Sequence, residues 1–180
     1  MENPGTSGSK STRRAVAVLC GASSGLGYAV ARVMARDGYQ LVIGSRTPEA
    51  AAERLRQETG GAIIAVAGDL AEPGTADALL AAAERCGGLD ALLLNHGGPP
   101  VKTFVETADD EWESAFRLMV QGPIRLLRKA VPLFRRCGGG RVVAVTSFSA
   151  SAVELRRACC ASTRATSSCT WRTSRSRVAF

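Results

Sequence analysis

Three glycines near the start of the chain are spaced so that their backbone could hold a phosphate group. Gly21, Gly25 and Gly27 follow a G-x-x-x-G-x-G pattern. Glycine permits a tight turn and lets backbone N–H groups approach an anion, and a helix that begins behind the turn adds unpaired N–H groups and a partial positive charge. A glycine triplet alone is weak evidence, because many such triplets only form turns. It gains weight if a buried strand precedes it and a helix follows.

The segments around the glycines have the pattern of an α/β domain. Ala15–Cys20 is a short apolar run typical of a strand buried on both faces, and from Ser24 apolar residues recur at helical spacing as far as Asp37-Gly38. The alternation continues with strands at Gln40–Gly44, Ala62–Ala67 and Leu89–Leu94 and with helices at Pro48–Thr59 and Thr75–Arg85. This series predicts a parallel sheet with right-handed crossovers and helices on both faces.

A long amphipathic helix, around Asp110–Arg136, and a strand at Arg141–Thr146 complete the readable domain. The apolar stripe of the helix consists of Trp112, Ala115, Phe116, Met119, Val120, Ile124, Leu127 and Val131. The predicted fold is a Rossmann-type doubly wound α/β sheet, incomplete at about five strands. We assign residues 1–13 to a flexible N-terminal arm, residues 14–155 to a dinucleotide-binding domain and residues 156–180 to an irregular tail rich in Arg, Ser, Thr and Cys.

The glycine segment, CGASSGLG, resembles the T-G-x-x-x-G-x-G cofactor loop of the short-chain dehydrogenase/reductase family, with Cys20 in place of the usual threonine. The resemblance extends over about residues 14–155 and is closest to the bacterial 3-oxoacyl-ACP-reductase-like branch. It implies an oxidoreductase that transfers hydride between a nicotinamide cofactor and a small carbonyl or alcohol substrate. In the loop, the cofactor contacts that it implies are Gly21, Ser23, Ser24, Gly25, Leu26 and Gly27.

Ser45 and Arg46 follow the second predicted strand, where the family selects between NAD(H) and NADP(H). A carboxylate here would bind the adenosine ribose 2′-OH and repel a 2′-phosphate, whereas these residues offer a hydroxyl and a guanidinium fork. A charge-assisted contact of roughly 1.5–3 kcal/mol would favour NADP(H) over NAD(H) by about 10–100-fold. The alternative is that Arg46 is a solvated loop arginine.

Two further segments complete the cofactor site that the resemblance implies. Asp69 and Leu70 follow the third strand, where the family places an aspartate that receives the adenine amino group; an aspartate that opens a turn before a helix is the alternative. Asn95 and Gly97 match the family's N-N-A-G segment beside the riboses. His96, the sole histidine, could act as an acid or base, but we interpret it as a substitution within a structural turn.

Ser147 aligns with the family's catalytic serine, whose hydroxyl would polarise the substrate carbonyl; Ser149 and a plain strand-end serine are the alternatives. The family also needs a tyrosine thirteen residues later and a lysine four residues after that. Cys160 and Arg164 occupy these positions, both tyrosines of the chain precede residue 40, and its last lysine is Lys129. Loss of the general acid alone lowers a rate by about 10²–10⁴. We therefore expect an inactive reductase or, alternatively, a non-catalytic dinucleotide-binding or sensor module.

The net charge of +7 is concentrated in the tail. Residues 155–180 hold six arginines and no acid, which leaves 17 − 16 = +1 for the rest of the chain. Nucleic-acid binding through this tail is a remote alternative, because the tail lacks aromatic interleaving beyond Trp171. The abrupt change of composition after Leu155 instead suggests a truncated domain followed by an out-of-frame translation, which resequencing would test.

Composition also limits the partners and the compartment that we expect. The six cysteines lack C-x-x-C spacing and have one histidine to join them, so we expect no metal and reduced thiols. No run of about 18 apolar residues is present, which predicts a protein outside the membrane, in the cytoplasm. Homo-oligomerisation stays open, because the family pairs through the long helix and the next one, and only the first is readable here.

Overall fold

The computed structural model of the chain describes residues 13–98 and 102–146. Ser147, Ser149, Cys160 and Arg164 lie outside the described residues. The strands are β1 (Val16–Cys20), β2 (Gln40–Ser45), β3 (Ile63–Ala67), β4 (Ala91–Leu94) and β5 (Arg141–Ala144). The helices are α1 (Gly25–Arg36), α2 (Glu49–Thr59), α3 (Pro73–Arg85), α4 (Asp109–Phe116) and α5 (Gly122–Arg136), with a 3₁₀ turn at Phe104–Glu106 and a π-helical turn at Arg117–Gln121.

The five strands form one parallel sheet in the order β3-β2-β1-β4-β5. The strand β1 is central, and all five of its residues are buried, as its apolar run predicts. The chain fills one side of β1 first and then crosses to β4 on the other side. In such sheets the crevice outside the carboxyl ends of the strands at this switch point is the usual ligand site. The predicted Rossmann-type sheet is thereby confirmed.

Side chains of the strands point alternately to the two faces of the sheet and contribute to an apolar layer on each face. On one face Val16, Val18 and Leu92 pack with residues of α3 and α5. On the other face Leu19, Leu41, Ile43 and Leu55 pack with alanines of α1 and α2. Because successive strand residues point to opposite faces, these short, almost wholly apolar strands can support both layers at once.

Asp90 joins three segments at the amino end of the sheet. Its carboxylate accepts both Nη groups of Arg13 at 2.7 and 2.8 Å and the backbone N–H of Val16 at 2.7 Å. Its own carbonyl oxygen accepts the N–H of Arg141 at 2.9 Å. Burial alone would raise the pKa of Asp90, but the hydrogen bonds from Arg13 and Val16 outweigh it, so that the pKa lies below its ordinary value. Arg13, the last residue of the arm that we predicted, is therefore held against the domain.

The long helix occupies the expected part of the chain, but it is not one uniform α-helix and its predicted stripe is not the buried face. Of that stripe, Trp112, Phe116 and Ile124 are about half exposed. The buried residues of α5 are instead Gly122, Pro123, Leu126, Ala130, Leu133 and Phe134. The orientation of α5 follows from its apolar face in the core, and the exposed ion pairs of Lys129 with Asp77 and of Arg136 with Glu84 on α3 agree with it.

The strand β5 is shorter than predicted and is an exposed edge. It ends at Ala144 rather than Thr146, and all of its residues are exposed. Pairing with β4 continues one residue further, since the N–H of Val145 donates to the carbonyl of Leu94 at 2.9 Å. Among the helices of the described residues, none is long and apolar enough to cross a membrane.

Candidate functional site

A cavity of about 430 Å³ opens at the carboxyl ends of the strands, where β1 and β4 separate. Its walls come from the loops that follow four strands, as expected at a topological switch point. The predicted cofactor residues on these walls are Gly21, Ser23, Ser24, Ser45, Arg46, Asp69, Leu70, Asn95 and Gly97. Gly25, Leu26 and Gly27 belong to the same loop and the start of α1 but do not line the cavity.

At two positions of the loop, the packing of the protein leaves room only for glycine. Gly21 has φ +62°, and a Cβ there would lie within 3.0 Å of the Asn95 carbonyl oxygen. A Cβ on Gly27 would lie as close to the Gly21 carbonyl oxygen. The Asn95 side chain fastens this contact, because its Nδ2 donates to the Gly21 carbonyl at 3.0 Å. Asn95 thus ties the end of β4 to the loop after β1.

Gly25 differs from its neighbours because it faces open space. It has φ +56°, and a Cβ there would meet no heavy atom within 4 Å. The helix α1 begins at this residue, and the side chain of its N-cap, Ser24, makes no capping hydrogen bond. The first N–H groups of a helix have no intrahelical partners and attract anions. The loop therefore offers backbone donors where a pyrophosphate would need them.

Ser45 and Arg46 form the wall at the end of β2. The Ser45 hydroxyl is buried and has no hydrogen-bond partner among the described residues, although it lines the cavity. An unpaired buried hydroxyl costs about 1–3 kcal/mol, which a ligand that bonds to it would recover. Arg46 is exposed and makes no ion pair within the described part of the chain. No carboxylate follows β2 at either of the next two positions, Arg46 and Thr47.

The loop after β3 shows how Asp69 can serve both roles considered for it. One carboxylate oxygen accepts the N–H of Ala71 at 2.9 Å, which is the turn-opening arrangement, while the residue also lines the cavity. The helix α5 fixes this loop, because the Arg125 guanidinium donates to the Ala71 carbonyl at 2.8 Å. Gly122 lets α5 approach closely, since a Cβ there would lie within 3.0 Å of the Leu70 carbonyl oxygen.

His96 and Cys20 also lie on the wall of the cavity. The Nδ1 of His96 is 3.2 Å from the carbonyl oxygen of the next residue, Gly97. Burial raises the pKa of the Cys20 thiol to about 12, so it stays protonated and uncharged at neutral pH. Within residues 13–98 and 102–146, no group of three His, Cys, Asp or Glu side chains could hold a metal ion.

Sequence reasoning missed four apolar or hydroxyl contacts to the cavity, from Thr47, Thr75, Leu79 and Leu118. Two of these contacts, those of Leu79 and Thr75, could have been inferred from glycines in the sequence. A Cβ on Gly44 would lie 2.8 Å from Leu79, and one on Gly68 would lie 2.7 Å from Thr75, so each glycine at a strand end marks the close approach of α3. Leu118 belongs to the π-helical turn, which residue periodicity does not indicate.

The family model for short chain dehydrogenase matches residues 15–173, and the chain therefore belongs to the short-chain dehydrogenase/reductase family. The human dehydrogenase/reductase SDR family member 2, mitochondrial, is 34% identical over 140 residues, which cover 75% of this chain and 49% of that protein. The chain thus spans about half the length of the relatives that it matches.

Solved structures of this family superpose on the described fold. L-sorbose reductase from Gluconobacter frateurii, complexed with NADPH and L-sorbose, is 34% identical with a TM-score of 0.72, over 77% of this chain and 54% of that one. A 3-oxoacyl-[acyl-carrier protein] reductase from Brucella melitensis in complex with NAD is 26% identical with a TM-score of 0.71, over 80% and 60%. Similar folds therefore bind either dinucleotide, and the residues at the adenosine end must decide between them.

Proposed function

We propose that this chain binds NADP(H) in preference to NAD(H) in the cavity at the switch point. The observation that carries the proposal is the end of β2, where a buried, unpaired Ser45 hydroxyl lies beside the uncompensated guanidinium of Arg46. A 2′-phosphate supplies acceptors for both groups, whereas a bare ribose hydroxyl leaves the cation without a counter-charge. The glycine loop supports the binding of a dinucleotide, though not the choice between the two, because its open face suits a pyrophosphate.

Each wall of the cavity has a task in holding the dinucleotide. The loop at Gly21–Gly27 would bind the pyrophosphate through backbone N–H groups, and Asp69 would accept the adenine amino group. Asn95 keeps the loop in position and excludes any side chain larger than glycine beneath it. When bound, the cofactor supplies the hydride that is exchanged with a carbonyl or alcohol carbon.

We further propose that the chain is a reductase by descent that lacks turnover. Ser147 would steady a carbonyl oxygen, yet the positions of the family's tyrosine and lysine hold Cys160 and Arg164. Arginine is a planar, permanently charged fork and does not substitute for a compact ammonium group. A non-catalytic dinucleotide-binding or sensor module is the second candidate, and the same missing residues support it.

The remaining aspects of the proposal concern partners and location. A small carbonyl or alcohol molecule is the partner if any turnover remains, and nucleic acid is not part of the proposal because the basic tail lacks aromatic interleaving beyond Trp171. The scattered cysteines fit a reducing compartment, and we propose the cytoplasm.

Calorimetric titration of the full chain with NADP⁺ and with NAD⁺ tests the cofactor proposal. We expect NADP⁺ to bind about 10–100-fold more tightly, which is the range for one charge-assisted contact. Arg46→Ala should remove most of this preference and leave NAD⁺ binding unchanged. Arg36→Ala is the matched control, because Arg36 is exposed in the last turn of α1, away from the cavity. A preference that Arg46→Ala leaves unchanged contradicts the assignment of the 2′-phosphate site.

Consumption of NADPH with a panel of ketones and quinones separates the two candidate functions. Turnover that is lost on Ser147→Ala would show a working reductase and contradict the proposed inactivity. Binding without turnover is the expected result.

A further inference from the structure

A second arginine lies at the rim of the same cavity, on α2. The Nη2 of Arg54 donates to the carbonyl oxygen of Ser23 at 3.5 Å, and Ser23 lines the cavity. The guanidinium carbon of Arg54 lies 4.8 Å from the centre of the Tyr28 ring. The stacking on Tyr28 limits the rotamers of an otherwise exposed side chain, so less entropy is lost when the guanidinium binds an anion.

The charge of Arg54 is left without a partner because the nearby carboxylate is engaged elsewhere. Glu58 accepts the Tyr28 hydroxyl at 2.9 Å on Oε1, and its Oε2 lies 3.9 Å from Arg32. Within the described ranges, no carboxylate forms an ion pair with Arg54. A guanidinium has five N–H donors, and the contact with Ser23 uses one.

Ser23 connects Arg54 to the adenosine end of the cavity. The wall of that cavity includes Ser23 and Ser24 from one loop and Ser45, Arg46 and Thr47 from the next. These two loops follow β1 and β2, which are neighbours in the sheet. Arg54 therefore adds positive potential beside Ser23, on the loop that lines the same cavity as Arg46.

We propose that Arg54 is a specificity-determining residue, a second cation that acts with Arg46 to favour a dinucleotide carrying a 2′-phosphate. The inference rests on the proposed binding of NADP(H). Arg46 supplies the direct contact after β2, and Arg54 supplies a stacked, restrained charge from α2, against the loop after β1. Tyr28 acts as a positioning residue, because it holds the guanidinium against Ser23.

Titration of the full chain with NADP⁺ and NAD⁺ at low salt tests this role. Arg54→Met keeps an apolar stem and removes the charge, and we expect it to weaken NADP⁺ about three- to tenfold, a loss typical of an exposed to partly exposed charge contact. The affinity for NAD⁺ should change by no more than about twofold, because the loss of one surface charge has little effect on it. Arg54→Lys should retain part of the preference, and Arg36→Met, the matched loss of a surface charge, should retain all of it.

The possible outcomes distinguish the role of Arg54 from the proposed binding of NADP(H). A wild-type preference for NADP⁺ that Arg54→Met leaves unchanged overturns the role of Arg54 and leaves the proposed function standing. An equal loss of NADP⁺ and NAD⁺ binding also overturns it, because Arg54 would then only support the loop. Absence of any NADP⁺ preference in the wild-type chain overturns both. Tyr28→Ala, with folding checked by circular dichroism, should lower the preference less than Arg54→Met does.

Discussion

At the scale of single residues, the glycine loop combines two physical requirements that the sequence pattern does not distinguish. Gly21 and Gly27 are glycines because the end of β4 and the loop itself leave no room for a Cβ. Gly25 is a glycine with a positive φ on an open surface, where a ligand's phosphates can approach. One motif therefore serves both the packing of the protein and the approach of the cofactor.

Substitution of Gly27 by alanine tests the packing requirement. In an ordinary helix the change would stabilise by about 1 kcal/mol. Here we expect a loss of about 1–3 kcal/mol in the free energy of unfolding, since the new Cβ collides with the Gly21 carbonyl. Gly74→Ala in α3 is the matched control, because a Cβ there meets nothing within 4 Å. Urea denaturation compares the two, and a Gly27→Ala variant as stable as wild type would contradict the described contact.

Much of the candidate site could be read from the sequence because its residues follow strands that are short and apolar. Ser45 ends β2, Asp69 follows β3 after one glycine and Asn95 comes directly after β4, and parallel strands bring such positions to one edge. Leu118 could not be read in this way, since it approaches the cavity through the π-helical turn. The uncompensated charge of Arg54 was also invisible, because its stacking on Tyr28 depends on how α1 and α2 pack.

At the scale of elements, the pair between Arg13 and Asp90 fastens the start of β1 to the start of β4. The folded-state pKa of Asp90 is lower than its ordinary value. The pair therefore stabilises the fold above about pH 4, the ordinary pKa of an aspartate, and this contribution is lost as the pH falls through the lower folded-state pKa.

Asp90→Asn tests this pH dependence. We expect it to lower the free energy of unfolding by about 1–3 kcal/mol at pH 7, as expected for a charge-assisted hydrogen bond, with a smaller effect near pH 3. Glu113→Gln is the control, because its pair with Arg117 is largely exposed and should leave the pH profile unchanged. Thermal melts between pH 3 and pH 7 measure both, and a loss that does not vary with pH would rule out the ion pair as its cause.

The buried face of α5 was predicted wrongly from the periodicity of its apolar residues. Apolar residues occur on more than one side of it, so the sequence offered two candidate faces. The choice depends on contacts that are distant in sequence, namely Gly122 against Leu70 and Leu126 in the apolar core beside α3.

A pair of alanine substitutions distinguishes the two faces. Leu126 is fully buried, so Leu126→Ala should cost about 2–5 kcal/mol of stability. Ile124 is 48% exposed, and Ile124→Ala should change stability by no more than about 0.5 kcal/mol. Denaturation of the two variants under the same conditions gives the comparison. The reverse order of effects would mean that the stripe first read from the sequence is the buried one.

At the scale of the whole molecule, the chain contains the strand order and the cavity of its family in the part that the structure describes. It spans about half the length of the relatives that it matches. The parallel sheet followed from strand–helix alternation, and its strand order is known from the structure. In the proposed function, catalysis would depend on residues after β5, where Cys160 and Arg164 hold the positions at which the family resemblance implies a tyrosine and a lysine.

The most direct test of the account is a titration of the purified full chain with NADPH, followed on the same sample by an assay for its oxidation. We predict that NADPH binds saturably at one site and more tightly than NADH does, and that it is not oxidised above the uncatalysed rate. Absence of saturable binding, or tighter binding of NADH, would contradict the account at its centre.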